Sequence, residues 1–375
     1  MRQFQLHHIL CKSAWEALKF QDKEGYFPKG HNGPWGDADT NVRTTAHWPL
    51  TTFKAYHITG EKIFLSATQK ACDYLIRKKQ RPYGYTFCCR TNETGKNMSN
   101  GLIGQAWAIE PLILIGKSLN QREYLEVAQK IVLLHKYNMK HHAWNYLEIN
   151  GKILGINQAL NQQIWFAALS LTIGKILGDS KLIKCARDFF NNLPCLISFF
   201  EEKGLISHTF VGHHSIYRNM IKELIGKKNK GAVEHDKRYL LSQGYLSFIL
   251  YGLAMAYEYH SEETFWKDDR LKAMISDSIE YIVKDFPFGC GEKTGYRWCY
   301  NPTGIEMAYV LQVFKEYLRL ESAENHIALF LSKQFEFYYD FEKNMLSKNT
   351  MDPNILSARL YEAVRLKNYN ISISH

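Results

Sequence analysis

The sequence predicts an all-α fold, an (α/α)6 toroid of six helical hairpins with short β-hairpins in its rim loops. Three observations carry this prediction. Apolar residues recur with helical period in one segment after another. The segments pair through short junctions, Thr59-Gly60-Glu61, Leu119-Asn120-Gln121, Gly178-Asp179-Ser180, Ser261-Glu262-Glu263 and Ser322-Ala323-Glu324. These lie roughly 60 residues apart except where a basic stretch intervenes, as in stacked units that cannot bury their own faces alone. Finally, one helix is left over at each end, and pairing the last with the first closes a ring. The expectation is one domain over residues 1–375, neither two domains nor an open solenoid.

Residues 4–20 read as the first helix, followed by a loop over 21–42 rich in Gly and Pro. Helices follow at 43–58, stopped by Gly60, and at 62–78. A segment containing Pro82, Gly84, Cys88 and Cys89 precedes helices at 99–118 and 121–137. Residues 143–154 read as a two-strand hairpin turning at Asn150-Gly151. Helices at 157–177 and 180–199, a long loop over 200–237, and helices at 239–259 and 263–285 come next. Beyond the Gly- and aromatic-rich loop 286–302, the last helices run over 303–320, 324–343 and 353–367.

Helices opening at 43, 99, 157, 239, 303 and 353 start with polar residues and are otherwise apolar around much of their circumference, which suits an inner ring. The others carry more charge. The inner N-termini then share one rim, where unpaired N–H groups favour an anion and the long loops meet. The functional cleft is expected there.

Composition narrows the function classes. Hydrophobic residues are 46% and charged residues 22%, enough for a large core and against disorder. The aromatic share, 14%, fits a packed helical core or a cleft that stacks sugar rings. The formal charge of +10 points to an acidic partner or to plain solubility. Much of the surplus lies in Lys222–Arg238, read as an exposed insertion, and with no nucleic-acid motif beside it nucleic acid is not an expected partner. None of the eight cysteines forms a CxxC pair. The N-terminus is amphipathic and no stretch reads as a membrane span, so a cytoplasmic location is the expectation. P-loop, GxSxG and HExxH motifs are absent, and His208, His213 and His214 lack standard ligand spacing. No metal or cofactor is expected.

The candidate catalytic residues are His47, Asp39 and Glu306. An Asp pair, Asp37 and Asp39, just upstream of a helical His suits acid–base chemistry, and it suits helix capping equally. Glu306 sits in the first turn of an inner helix, where it serves catalysis or the helix dipole. The candidate substrate-binding residues are Trp35, Arg43, Trp48, Arg90, Asn100, Gln105, Trp107, Asn161, Gln162, Trp165 and Tyr300. The tryptophans would stack on sugar faces, Arg43 and Arg90 would fork onto a carboxylate, and the amides would read hydroxyl groups.

Trp48 to Leu75, the run Asn100-Gly101-Leu102-Ile103-Gly104-Gln105-Ala106-Trp107 with the following Glu123 to Ala128, and Asn161-Gln162-Gln163-Ile164-Trp165-Phe166-Ala167-Ala168 resemble the six-hairpin glycosidase-like superfamily. That superfamily holds unsaturated glucuronyl hydrolases, N-acylglucosamine 2-epimerases and the helical domain of glucuronyl C5-epimerases. Within it the chain resembles the AglQ-like proteins of bacterial surface-polysaccharide clusters. The resemblance spans most of the chain. It implies a carbohydrate-active enzyme of surface-polysaccharide metabolism, a hydrolase, lyase or epimerase acting on an acidic or acetamido sugar. The histidine pairs of the 2-epimerases and the Asp pair of the glucuronyl hydrolases are not assigned here, so the reaction stays open. Two other classes remain: a non-catalytic glycan-binding or scaffold protein, and a cyclase-like α/α-barrel enzyme.

Overall fold

The computed structural model describes residues 2–200, 202–210, 228–285, 288–289 and 296–374. Among the described residues there are twelve α-helices: α1 (Leu6–Phe20), α2 (Val42–Thr59), α3 (Lys62–Ile76), α4 (Gly101–Ser118), α5 (Arg122–Leu134), α6 (Leu160–Leu177), α7 (Ser180–Leu196), α8 (Lys228–His260), α9 (Asp269–Asp285), α10 (Thr303–Leu318), α11 (Ala323–Tyr338) and α12 (Pro353–Ala358). The (α/α)6 toroid is the observed architecture. Helices α2, α4, α6, α8 and α10 each pack on the next, and α12 with the 3-10 turn Arg359–Arg365 packs on both α10 and α2. That contact closes the inner ring.

Sequence explains the two rings. Nearly every residue of α4 and α6 is buried, so these helices lack a polar face, while α3, α5 and α7 bury a single stripe. Glycines make the tight hairpin turns. Gly60 and Gly178 adopt φ of 75° and 70°, and their N–H groups return to Tyr56 and Gly174 carbonyls. Asp179 then caps α7 by accepting from the Lys181 and Leu182 N–H groups. Strand β1 (Arg2–Gln5) pairs antiparallel with the C-terminal strand β5 (Asn370–Ile373), Arg2 opposite Ile373, and staples the two chain ends together.

Several expectations need correction. The 143–154 hairpin is three-stranded, with β2 (Tyr137–Asn138), β3 (Ala143–Leu147) and β4 (Ile153–Ile156) in order. The helix expected over 263–285 is a 3-10 turn (Thr264–Lys267) followed by α9, because Asp268 accepts from the Arg270 and Leu271 N–H groups and starts a new helix there. The loop expected over 200–237 is shorter, since α8 begins at Lys228. His213, His214, Cys290 and residues 222–227 of the basic stretch lie outside the described residues. One segment, Lys237–His260, does have the length and composition of a membrane span, but 83% of its apolar window is buried inside the protein. It is a core helix of the ring.

Candidate active site

The loops that lead into the inner helices (21–41, 77–100, 135–159, 339–352) are long, and the junctions at the other ends are short. A cleft of about 250 Å³ opens at the rim where the long loops meet. The N-terminal turns of α4 and α6, the middle of α8 and the loops before the inner helices line it. Trp35, Trp107, Tyr245, Phe248 and Tyr300 supply flat faces, Arg90 and Lys96 supply charge, and Asn100, Asn161, Gln162 and Asn301 supply amides.

The cations face a carboxylate behind the wall. Asp37, 2% exposed, accepts from Arg90 Nη2 at 2.8 Å, Lys96 Nζ at 2.5 Å and Asn32 Nδ2 at 2.7 Å. Among the described contacts, one carboxylate against two cations leaves this part of the wall net positive.

Asn32 is the hub beneath. It sits in the left-handed region at φ 62°, which aims its side chain inward. Its Oδ1 accepts from Arg43 and from the Tyr300 hydroxyl at 2.7 Å. The loop is pinned by Asp352, whose Oδ2 accepts from the His31 and Gly33 N–H groups while its Oδ1 caps α12 at Ile355.

A second buried arginine holds the opposite wall. Arg359 donates to the Tyr300 carbonyl at 3.1 Å and to Asn301 Oδ1, and its guanidinium lies 4.9 Å from the Phe248 ring centroid. Its charge is met by Glu306 and Glu362, each 2.7 Å from Nη2. Burial raises both carboxyls, Glu362 to about 8, with Arg359 pulling the other way.

The expected site residues therefore separate into groups. Trp35, Arg90, Asn100, Trp107, Asn161, Gln162 and Tyr300 come together on the cleft wall. Arg43 does not line it. Its guanidinium is buried 4.3 Å from the Trp107 centroid and bonded to Asn32. Asp39 is buried 3.7 Å from Arg43, neither of its oxygens accepts a hydrogen bond, and burial pushes its carboxyl up to about 7. His47 lies deeper, stacked on Tyr361 at 4.3 Å and edge-on to Trp107 at 5.3 Å. Burial first, then Arg43 and Arg359, holds it well below the usual imidazole range, so it is neutral at pH 7. Glu306 is fully buried on Arg359 and the Ser247 hydroxyl.

Three expected binding residues are committed elsewhere. Trp48 lines a separate pocket of about 580 Å³ with Phe27 and Met345. Trp165 packs between Phe248 and Tyr251 and donates to the Phe248 carbonyl. Gln105 is fully buried and clamps the preceding loop, accepting from Phe87 N–H and donating to the Phe87 and Ser99 carbonyls. Gln163 repeats the clamp on Trp144 one hairpin later.

Sequence reasoning missed Asn32, Lys96, Tyr245, Phe248 and Asn301. Tyr245 and Phe248 lie one turn apart on α8, and that spacing on an inner helix was the available signal. His208 also lines the cleft, beside Ser242, and burial with nearby Arg238 lowers its imidazole to about 4. Among the described residues no cluster of His, Cys, Asp or Glu could hold a metal ion.

No protein-family model matches the chain. The fold is shared with cellobiose 2-epimerase from Bacillus thermoamylovorans B4167, at TM-score 0.64 and 11% identity over 96% of this chain and 98% of that one. It is shared also with the unsaturated glucuronyl hydrolase of Bacillus sp. GL1, responsible for degradation of glycosaminoglycan, at TM-score 0.58 and 11% identity over 95% and 93%. Archaeal glycosylation protein Q of Haloferax volcanii is 31% identical over 377 residues, 98% of each chain. By that full-length match the chain, whose (α/α)6 fold these structures share, belongs to the family of archaeal glycosylation protein Q.

Proposed function

We propose that the chain is a carbohydrate-active enzyme of a glycosylation or surface-polysaccharide process and that its rim cleft takes an acidic sugar. The observation that carries this reading is the cleft wall itself: aromatic faces, amides and the Arg90–Lys96 pair converge in a volume of sugar size. The name of the Haloferax relative and the sugar-active superfamily neighbours support it.

The reaction class that fits best is proton transfer at the carbon beside the sugar carboxylate, leading to elimination or epimerisation. Hydrolysis by paired carboxyl groups needs one on each side of the scissile bond. Among the described lining residues none is a carboxylate, whereas neutral His208 lines the cleft with the rings of Tyr245 and Tyr300. Arg90 would neutralise the sugar carboxylate and so acidify the neighbouring C–H.

Incubating uronate oligosaccharides with the protein in D2O tests this. Deuterium at the carbon beside the carboxylate marks epimerisation, and new reducing ends paired with an ultraviolet-absorbing unsaturated uronate end mark elimination; either is the expected result. New reducing ends with neither deuterium nor a double bond would instead indicate hydrolysis. A non-catalytic glycan-binding role is the second reading, favoured by the low proton affinity of His208. It predicts binding with neither change.

A further inference from the structure

Gln162 lies at the start of α6 and lines the cleft. Its Oε1 is fully occupied. It accepts from the Leu102 N–H at 3.0 Å, the Ile103 N–H at 3.2 Å and Asn157 Nδ2 at 2.8 Å. Two of these donors are first-turn N–H groups of α4, so Gln162 caps the neighbouring inner helix from outside. The local sequence is built for this approach. A Cβ at Gly101 would stand 2.4 Å from Gln162 Oε1 and 2.9 Å from Asn157 Nδ2, and Gly101 itself adopts φ 62°. Only glycine leaves the carboxamide its place.

Three donors on one oxygen fix which way the amide points, and its NH2 is left for the cleft. Much of the nearby polar wall is biased the same way, although Asn100, Asn161 and His208 can also accept. Asn32 and Asn301 spend both ends of their amides inside the protein. Arg90 and Lys96 have only donors, and Asp37, their carboxylate, faces inward onto them. A ligand group meeting Gln162, Arg90 and Lys96 therefore has to be an acceptor.

The geometry points to Gln162 as a specificity-determining residue that reads the oxyanion of an acidic sugar through its NH2 group while its carbonyl holds α4. Among the described contacts the two cations share the carboxylate of Asp37, a modest positive excess that matches a monoanionic carboxylate better than a dianionic phosphate. This rests on the proposal that the cleft binds a sugar.

The test is Gln162→Glu. A carboxylate still accepts from Leu102, Ile103 and Asn157 and sits favourably at a helix N-terminus, so the cap survives. Its ligand-facing atom changes from donor to charged acceptor. Calorimetric titration would use the α- and β-methyl glycosides of glucuronate and galacturonate, the matching neutral methyl glycosides, and glucose 6-phosphate. Wild type is expected to bind at least one uronide at least tenfold more tightly than its neutral counterpart and more tightly than the phosphate. Gln162→Glu should melt no lower than wild type and bind that uronide about tenfold or more weakly, with the neutral glycoside within about twofold.

Equal losses for both ligands, or none for either, would overturn the role of Gln162 while leaving a sugar cleft intact. Tighter binding of the phosphate would overturn the carboxylate assignment. Failure of every glycoside to bind wild type would remove the sugar cleft and this inference together. Should the variant melt lower, wild type alone decides: converting the uronide carboxylate to a carboxamide should cost about tenfold, and an unchanged affinity would overturn the assignment.

Discussion

Arg359 Nη2 lies 2.7 Å from Glu306 Oε1, with both side chains essentially shielded from solvent. This pair sits under the cleft and carries the carbonyl of Tyr300 and the amide of Asn301 on its other donors. Breaking a buried pair from one side leaves an uncompensated charge and costs about 3–5 kcal/mol. Glu306→Ala should lose about that much in urea unfolding, less whatever Glu362 recovers. An unchanged midpoint would mean that the pair contributes no stability.

Asp39 gives a pH-dependent prediction. Its carboxyl is raised from 3.8 to about 7 in the folded protein. The folded state thus binds the proton more tightly than the unfolded state. Stability from this group is present below pH 3.8 and is lost as pH rises through about 7. Asp39→Asn removes that loss, so it should raise the melting temperature at pH 8 and change it far less at pH 4.5. A shift equal at both pH values would contradict a buried, destabilising carboxylate.

Gln105 and Gln163 act as repeated loop clamps, each holding a backbone N–H and two carbonyls. Truncation leaves buried groups unpaired at about 1–3 kcal/mol apiece. Gln105→Ala and Gln163→Ala should each destabilise by several kcal/mol and by similar amounts. If Gln105→Ala kept wild-type stability and lost only ligand binding, the clamp would be the wrong account.

Arg43 differs from Arg90 in where its charge is spent. Arg43 is bonded to Asn32 beneath Trp107, away from the lining. Arg43→Ala should lower the melting temperature and weaken acidic and neutral ligands alike. A loss confined to acidic ligands at full stability would place Arg43 in the recognition set.

These contrasts show what the sequence could tell. Hairpin spacing, glycine stops and inner-helix apolarity gave the ring, because each is a local signal repeated many times. The rim location of the cleft followed from topology, and it drew in Trp35, Arg90, Trp107, Gln162 and Tyr300. Helix rotation was less legible. Inner helices are buried around most of their circumference, so no exposed polar face tells that Trp48 faces outward and Trp165 sideways. Nor did residue type reveal that Gln105 spends its amide on the backbone of Phe87, since a clamp and a ligand-binding amide read alike in sequence.

Recognition of an acidic sugar at the Arg90 wall can be measured directly. One uronate oligosaccharide and its carboxyl-reduced counterpart would be titrated into wild type and Arg90→Ala by calorimetry. The acidic ligand should bind wild type more tightly, and Arg90→Ala should weaken it by about one to two decades, the worth of a charge-assisted contact of about 1.5–3 kcal/mol, with little change for the reduced ligand. Equal affinity of wild type for the two ligands, or equal losses on substitution, would contradict the account.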